Sequence, residues 1–190
     1  HDSTLQDLTY ISHRLELLGL DIMKNPEKAY SDLNDIRNLL KNSMNNIRNI
    51  IFDLRPTVID DFGLKESLSV FFDWLKNNSK INYIFEIDSF EASNIILLNI
   101  YRIIVECVLN SMKYSECTEV VVKCFKEKEH IELYIEDNGK GFDFQNSQNA
   151  RLKYGMSIVN ERVHIMDGEI SYNVSEGIGS KIYIYIPFNS

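Results

Sequence analysis

Positive charge is scarce in this chain. Lys and Arg number 20 against 28 Asp and Glu, which leaves a net charge of −8 at neutral pH. That balance argues against a partner held by its phosphate backbone, since nucleic-acid-binding domains carry a basic face. It does not exclude a nucleotide, whose site can be basic locally inside an acidic protein. Cysteine is also sparse: Cys107, Cys117 and Cys124 are odd in number and spaced by ten and seven positions, which fits no usual zinc pattern. Cys107 falls in an apolar helical stretch and Cys124 in a strand, so they read as buried, reduced thiols of a cytosolic protein. No run approaches the ~18 apolar residues of a membrane span, and no signal peptide opens the chain. No internal repeat or low-complexity tract is evident. The single Trp74 stands near Phe71 and Phe72 and reads as core packing, with no cofactor role.

What is present is an ordinary globular composition, 44% hydrophobic and 25% charged. The 190 residues are enough for one medium domain and a smaller element with a real core. The chain starts at His1 without a Met and reads as a fragment, with any sensory or membrane part expected upstream.

Leu5, Leu8, Ile11, Leu15, Leu18 and Ile22 are spaced three, three, four, three and four. They predict a helix over 2–23 with one apolar stripe near a heptad period. Asn25-Pro26-Glu27 breaks and restarts it, because Asn suits an N-cap, Pro the first turn and Glu the positive end of the dipole. A second helix should run from Pro26 to about Leu54, roughly 40 Å long, with Tyr30, Leu33, Ile36, Leu40, Met44, Ile47, Ile51 and Leu54 on its stripe. Two such helices cannot bury both stripes alone, so the hairpin is expected to dimerise into a four-helix bundle. Packing on the rest of its own chain is the alternative. Pro56 marks the end of that helix and the domain boundary, giving a hairpin over 1–56 and a second domain over 57–190.

In the second part, Gly63 to about Lys76 is predicted helical, with Leu64, Leu68, Phe71, Phe72 and Leu75 inward. Residues 81–87 alternate as a strand, and 93–114 form a helix. A hairpin of two strands follows over 117–125 and 130–136. Residues 142–154 are polar and aperiodic, 155–166 look helical, and Gly168 begins two closing strands. This order predicts an α+β fold: a helical hairpin followed by an α/β sandwich with helices on one face of a mixed sheet.

Three constellations carry chemistry. Asp137-Asn138-Gly139-Lys140-Gly141 closes a strand. Its carboxylate can accept a hydrogen bond from a base amino group, and its glycines let the backbone turn and approach a flat ligand. A plain hairpin turn explains the same residues. Arg102, Glu106, Asn110 and Lys113 share one helix face. An amide oxygen and a carboxylate one turn apart can ligate a hard cation, with a lysine beside phosphate oxygens, though a solvated polar stripe has the same spacing. At the N-terminus, His1 offers a nitrogen nucleophile and Asp2 a group to orient it or take its proton. An exposed His without function is the plain reading. His13, His130 and His164 lack the adjacent acid and read as helix surface, strand start and helix surface.

Taken in order, Glu106 to Ser115, Asp137 to Gly141, the Gly155 stretch and Gly177-Ile178-Gly179-Ser180 resemble the N, G1, G2 and G3 boxes of the GHKL ATP-binding domain. Histidine kinases, gyrase, Hsp90 and MutL share that domain, and the resemblance spans about the last two thirds of the chain. His1-Asp2-x-x-x-Gln6 and Leu54-Arg55-Pro56 followed by Gly63-Leu64 resemble the histidine kinase subfamily whose partners are NarL-type response regulators. The resemblance implies a homodimeric sensor histidine kinase core, cytoplasmic as a fragment, with membrane contact only through an upstream region. It implies ATP and Mg²⁺ as cofactors, with Asn110 on the metal and Glu106 near its shell. Lys113 would lie toward the phosphates and Asp137 on the adenine amino group, with Gly139, Gly141, Gly155, Gly177, Gly179 and Ser180 around the nucleotide. Gly155 is expected to open a helix whose free N–H groups face phosphate, after a short ATP lid over 142–154. His1 would be the phosphoacceptor, Asp2 its acid/base, and Gln6 the residue that positions water for dephosphorylating the regulator. Tyr114 stands where the subfamily often has His, and Val159 where it often has Met. An ATP-driven clamp of the gyrase/Hsp90 kind, and a dimerisation module with a decayed nucleotide site, are the competing functions.

Overall fold

In a computed structural model, residues 2–53, 56–141, 150–175 and 179–188 are described. The chain forms two compact units, His1–Arg55 and Pro56–Ser190.

The first unit is a helical hairpin of α1 (Asp2–Asp21) and α2 (Pro26–Asp53). Its turn follows the expected chemistry: the Lys28 N–H donates to Asn25 Oδ1 at 3.2 Å, and Pro26 takes the first helical position. A half-buried ion pair, Arg14 Nη2 to Asp32 Oδ1 at 2.6 Å, ties the two helices. The seam differs from the predicted stripe. On α2 the buried line is Ala29, Ile36 and Ser43, at strict heptad spacing, because one facing helix covers only a narrow seam. Of the described stripe residues, Ile36 on α2 and Ile11 on α1 are buried. Tyr30, Leu33, Leu40, Met44 and Ile47 remain exposed, as do Leu8, Leu15 and Ile22 on α1.

The second unit opens with α3 (Pro56–Asn78). α2 stops at Asp53, short of Pro56, and Pro56 itself takes the first position of α3, where its fixed φ suits a first turn. Gly63, at φ 82° and ψ 177°, interrupts α3 and re-aims it. Beyond it Leu64, Leu68, Phe71, Phe72 and Leu75 are buried as predicted, and Phe72 stacks on Phe85 of β1 (Asn82–Ile87) with centroids 4.2 Å apart. α4 (Asn94–Asn110) starts at Ser93, whose hydroxyl accepts the Ile96 N–H. It does not continue as an α-helix to Tyr114: Ser111–Ser115 form a single π turn, and Glu116 leaves it at φ 55°. With that turn the segment Asn94–Ser115 is long and apolar enough by composition to cross a membrane, contrary to the sequence expectation. Its apolar window is 67% buried within the domain, so the hydrophobicity is that of a core helix.

The sheet has the order β1-β2-β3-β5-β4, with β2 (Glu119–Lys126), β3 (His130–Asp137), β4 (Glu169–Ser175) and β5 (Gly179–Pro187). Only β1 and β2 run parallel; the other neighbours are antiparallel. Val120, Val122, Cys124, Ile131, Leu133, Ile135, Ile182, Ile184 and Ile186 alternate onto the buried face. α4 lies against α3 and α5 (Ala150–Ile165), which complete the layer over the sheet. The predicted loop over 142–154 is too long. Leu152 is buried with Met156, Val159, Val163 and Met166, so the 3–4 spacing starts one turn earlier than read. The three thiols are free and buried, and burial pushes Cys124 up to about 12 and Cys107 further.

Candidate functional site

The site gathers around the end of β3. Asp137 pairs across β2 with Val120 and across β5 with Ser180, and is only 3% exposed. Its Oδ2 accepts the Ser111 hydroxyl at 2.9 Å and its Oδ1 the Gly139 N–H at 3.0 Å. A buried carboxylate requires such partners. Ser180 Oγ, on the neighbouring strand, is buried with no hydrogen-bond partner among the described residues, a site that a ligand can satisfy.

The glycines divide by cause. A Cβ on Gly139 would strike the Ser115 carbonyl, and Lys140 N–H donates to that same oxygen at 2.8 Å. The turn therefore lies hard against the π turn, and Gly139 is required by close approach, not by left-handed backbone. Gly141 (φ 70°) and Gly179 (φ 108°) do occupy that region. A Cβ on Gly179 would also strike the Asp137 carbonyl. Gly139, through its N–H, and Gly179, through its close approach, lie directly against Asp137. Asn138 Oδ1 accepts the N–H groups of Thr118 and Glu119, both at 2.9 Å, and its Nδ2 donates to Thr118 Oγ1. That staple between β2 and β3 explains the Asn, which the sequence reading left without a role.

Along α4, Asn110 is 7% exposed and Glu106 half-buried, so this face is no solvated stripe. Asn110 Nδ2 donates to Glu106 Oε1 at 3.0 Å. That bond leaves the amide oxygen as the remaining acceptor, the type of ligand a hard cation takes. Gly155 packs directly here: a Cβ on it would strike Glu106 Oε1 and lie 3.4 Å from Asn110 Nδ2. Gly155 therefore does not open a helix as expected. It sits inside α5, where its single N–H belongs to the helix, and its place is the close crossing of α5 over α4. Arg162 Nη1, donating to Asn99 Oδ1 at 3.1 Å, ties the same two helices further along.

Lys113 is exposed in the π turn and Tyr114 half-buried beside it, while Val159 fills the core. Gln6 is exposed on α1, where it lines a shallow groove with Thr9, Tyr10 and His13. His1, Gly177 and 142–149 lie outside the described residues, as does the side chain of Asp2. Among the described residues no group of three or more His, Cys, Asp or Glu is placed to hold a metal ion. Ser111 and Ser115, which carry the contacts to Asp137 and its turn, were missed by sequence reasoning. Serine beside Asn110 has no periodic signal, and only the packing of the end of α4 beside β3 shows its partner.

A mixed five-stranded sheet under three helices, with a buried acid at a strand end and glycine-floored turns, matches a known class. Residues 97–190 match the family of histidine kinase-, DNA gyrase B-, and HSP90-like ATPases. Residues 1–59 match a second family, described as histidine kinase, and the chain belongs to the histidine kinases. It is 31% identical over 199 aligned positions to the sensor histidine kinase ComP of Bacillus subtilis, covering 98% of this chain and 25% of that protein. An uncharacterised sensor-like histidine kinase of Chloroflexus aurantiacus is 24% identical, with 100% of this chain and 33% of that protein covered. The chain thus spans a quarter to a third of these curated relatives. Among solved structures, the blue-light activated histidine kinase of Erythrobacter litoralis EL346 has the same fold, with a TM-score of 0.60 at 15% identity, over 98% of this chain and 59% of that one.

Proposed function

We propose that this chain is the catalytic core of a sensor histidine kinase that phosphorylates His1 from ATP. The observation that carries the nucleotide half is the juxtaposition of buried Asp137, the Ser180 hydroxyl, which has no partner among the described residues, and the Glu106–Asn110–Gly155 crossing within a domain of an ATP-binding family. Asp137 takes the adenine amino group, with Gly139, Gly141 and Gly179 around the nucleotide. Asn110 would hold Mg²⁺ with Glu106 behind it. When bound, the ion neutralises phosphate charge and takes most of its ligands from phosphates and water, as Mg²⁺ generally does. Lys113, exposed beside the site, approaches the phosphates.

The hairpin, 1–56, is proposed as the dimerisation and phosphotransfer domain, and 57–190 as the catalytic one. An imidazole nitrogen of His1 attacks the γ-phosphorus as the bond to the β-phosphate oxygen breaks, with Asp2 accepting the ring proton. The phosphoryl group passes to an Asp of a NarL-type response regulator, and Gln6 positions water when the regulator is dephosphorylated. Support for this half comes from the match over 1–59 and from the exposed apolar residues of both helices, which a second hairpin would cover.

The test is incubation with γ-labelled ATP and Mg²⁺ in protein carrying its natural upstream residues. Acid-labile label is expected in the wild type, with a loss of about 100-fold or more in His1→Gln and in Asn110→Asp. Label that survives His1→Gln would place the acceptor elsewhere.

A further inference from the structure

Ser111 has no role in the reading above, yet it makes the most direct side-chain contact to the base-recognising acid. A serine on a helix commonly bonds the carbonyl one turn back, and Ser115 does this, donating to the Ser111 carbonyl at 2.8 Å. Ser111 instead reaches across 26 positions of sequence to Asp137 Oδ2, with both side chains buried. Together with the Gly139 N–H on Oδ1, it gives each carboxylate oxygen one donor among the described residues, and the two donors fix the plane of the group. A carboxylate has about four acceptor sites, so lone pairs remain on that fixed plane. A ligand group meeting them has to be a donor. The 6-amino group of adenine is one; the 6-oxo group of guanine is not, and a purine bare at that position offers nothing.

On the proposed reading that Asp137 faces the base, we infer that Ser111 is a specificity-determining residue. It selects 6-aminopurine nucleotides by holding the Asp137 carboxylate as an oriented acceptor. Its effect is on discrimination, not merely on the stability of the pocket.

Equilibrium binding of ATP, purine riboside triphosphate and GTP tests this in wild type, Ser111→Ala, Ser111→Thr and Asp137→Asn. The wild type should prefer ATP over the other two. Ser111→Ala should shrink that preference about tenfold, the order of one hydrogen bond to a charged group, while Ser111→Thr, which keeps the hydroxyl, should retain it. A Ser111→Ala variant that weakens all three nucleotides in parallel, or leaves the preference whole, overturns the inference. If Ser111→Ala does not fold, Ser111→Cys, similar in size and a weaker donor, carries the same comparison. Failure of the underlying reading looks different: the wild type would show no preference, and Asp137→Asn would change nothing. Loss of preference in Asp137→Asn but not in Ser111→Ala refutes the role of Ser111 alone.

Discussion

Single residues in this site are chosen for how closely the backbone must approach. Gly179 illustrates it, since its φ of 108° and the Asp137 carbonyl beside it both forbid a side chain. Gly179→Ala is expected to destabilise the domain by about 1–3 kcal/mol from backbone strain alone, read by urea or thermal unfolding. A change within about 0.5 kcal/mol, ordinary for a surface position, would show that the turn relaxes freely. Gly155 differs, because the atom in the way belongs to the Glu106 side chain. There the cost falls on the Glu106–Asn110 hydrogen bond more than on the helix. Asp137 and the glycine pattern were legible from sequence. The reason for each glycine was not, because it depends on which backbone lies opposite.

Between elements, β3 and β5 are coupled on the sheet face away from the helices. Glu132 accepts the Tyr134 hydroxyl at 2.8 Å and the Tyr183 hydroxyl at 3.3 Å, and lies 3.1 Å from His130 Nε2. The Tyr134 hydroxyl first, then His130, hold the Glu132 carboxyl below the usual carboxylate range, and the same bond pushes Tyr134 up to about 12. A carboxyl depressed in the folded state adds stability above its unfolded value of about 4.3. That stability is lost as pH falls through the folded value. Glu132→Gln should therefore lower the melting temperature at about pH 7 and narrow its gap from wild type at about pH 3. A gap that is the same at both pH values would mean that the carboxylate charge contributes nothing. The strands themselves were evident from their alternation, but this cluster depended on the β3–β5 register that sets Tyr134 opposite Tyr183.

For the whole molecule, the apolar residues left uncovered on the hairpin set the expectation. Leu33, Leu40 and Met44 are each more than 40% exposed on α2, a burden that a second copy would relieve. Leu40→Glu is expected to shift sedimentation from dimer to monomer, weakening association by about 2–3 kcal/mol as one leucine loses its apolar cover. A monomeric wild type at micromolar concentration would refute the proposed bundle.

The sequence by itself determined the elements, their order and the acid at the end of β3, because hydrophobic period and turn chemistry are local properties of the chain. It also carried the family motifs that led to the proposed nucleotide site. Tertiary structure decided what those motifs do physically. The packing of the end of α4 beside β3 set an unnoticed serine against Asp137. The crossing of α5 over α4 made Gly155 a contact instead of a helix start. The hairpin buried Ala29, Ile36 and Ser43 in place of the broader stripe. Each depends on what packs opposite a residue, and that is set by contacts between segments far apart in the chain.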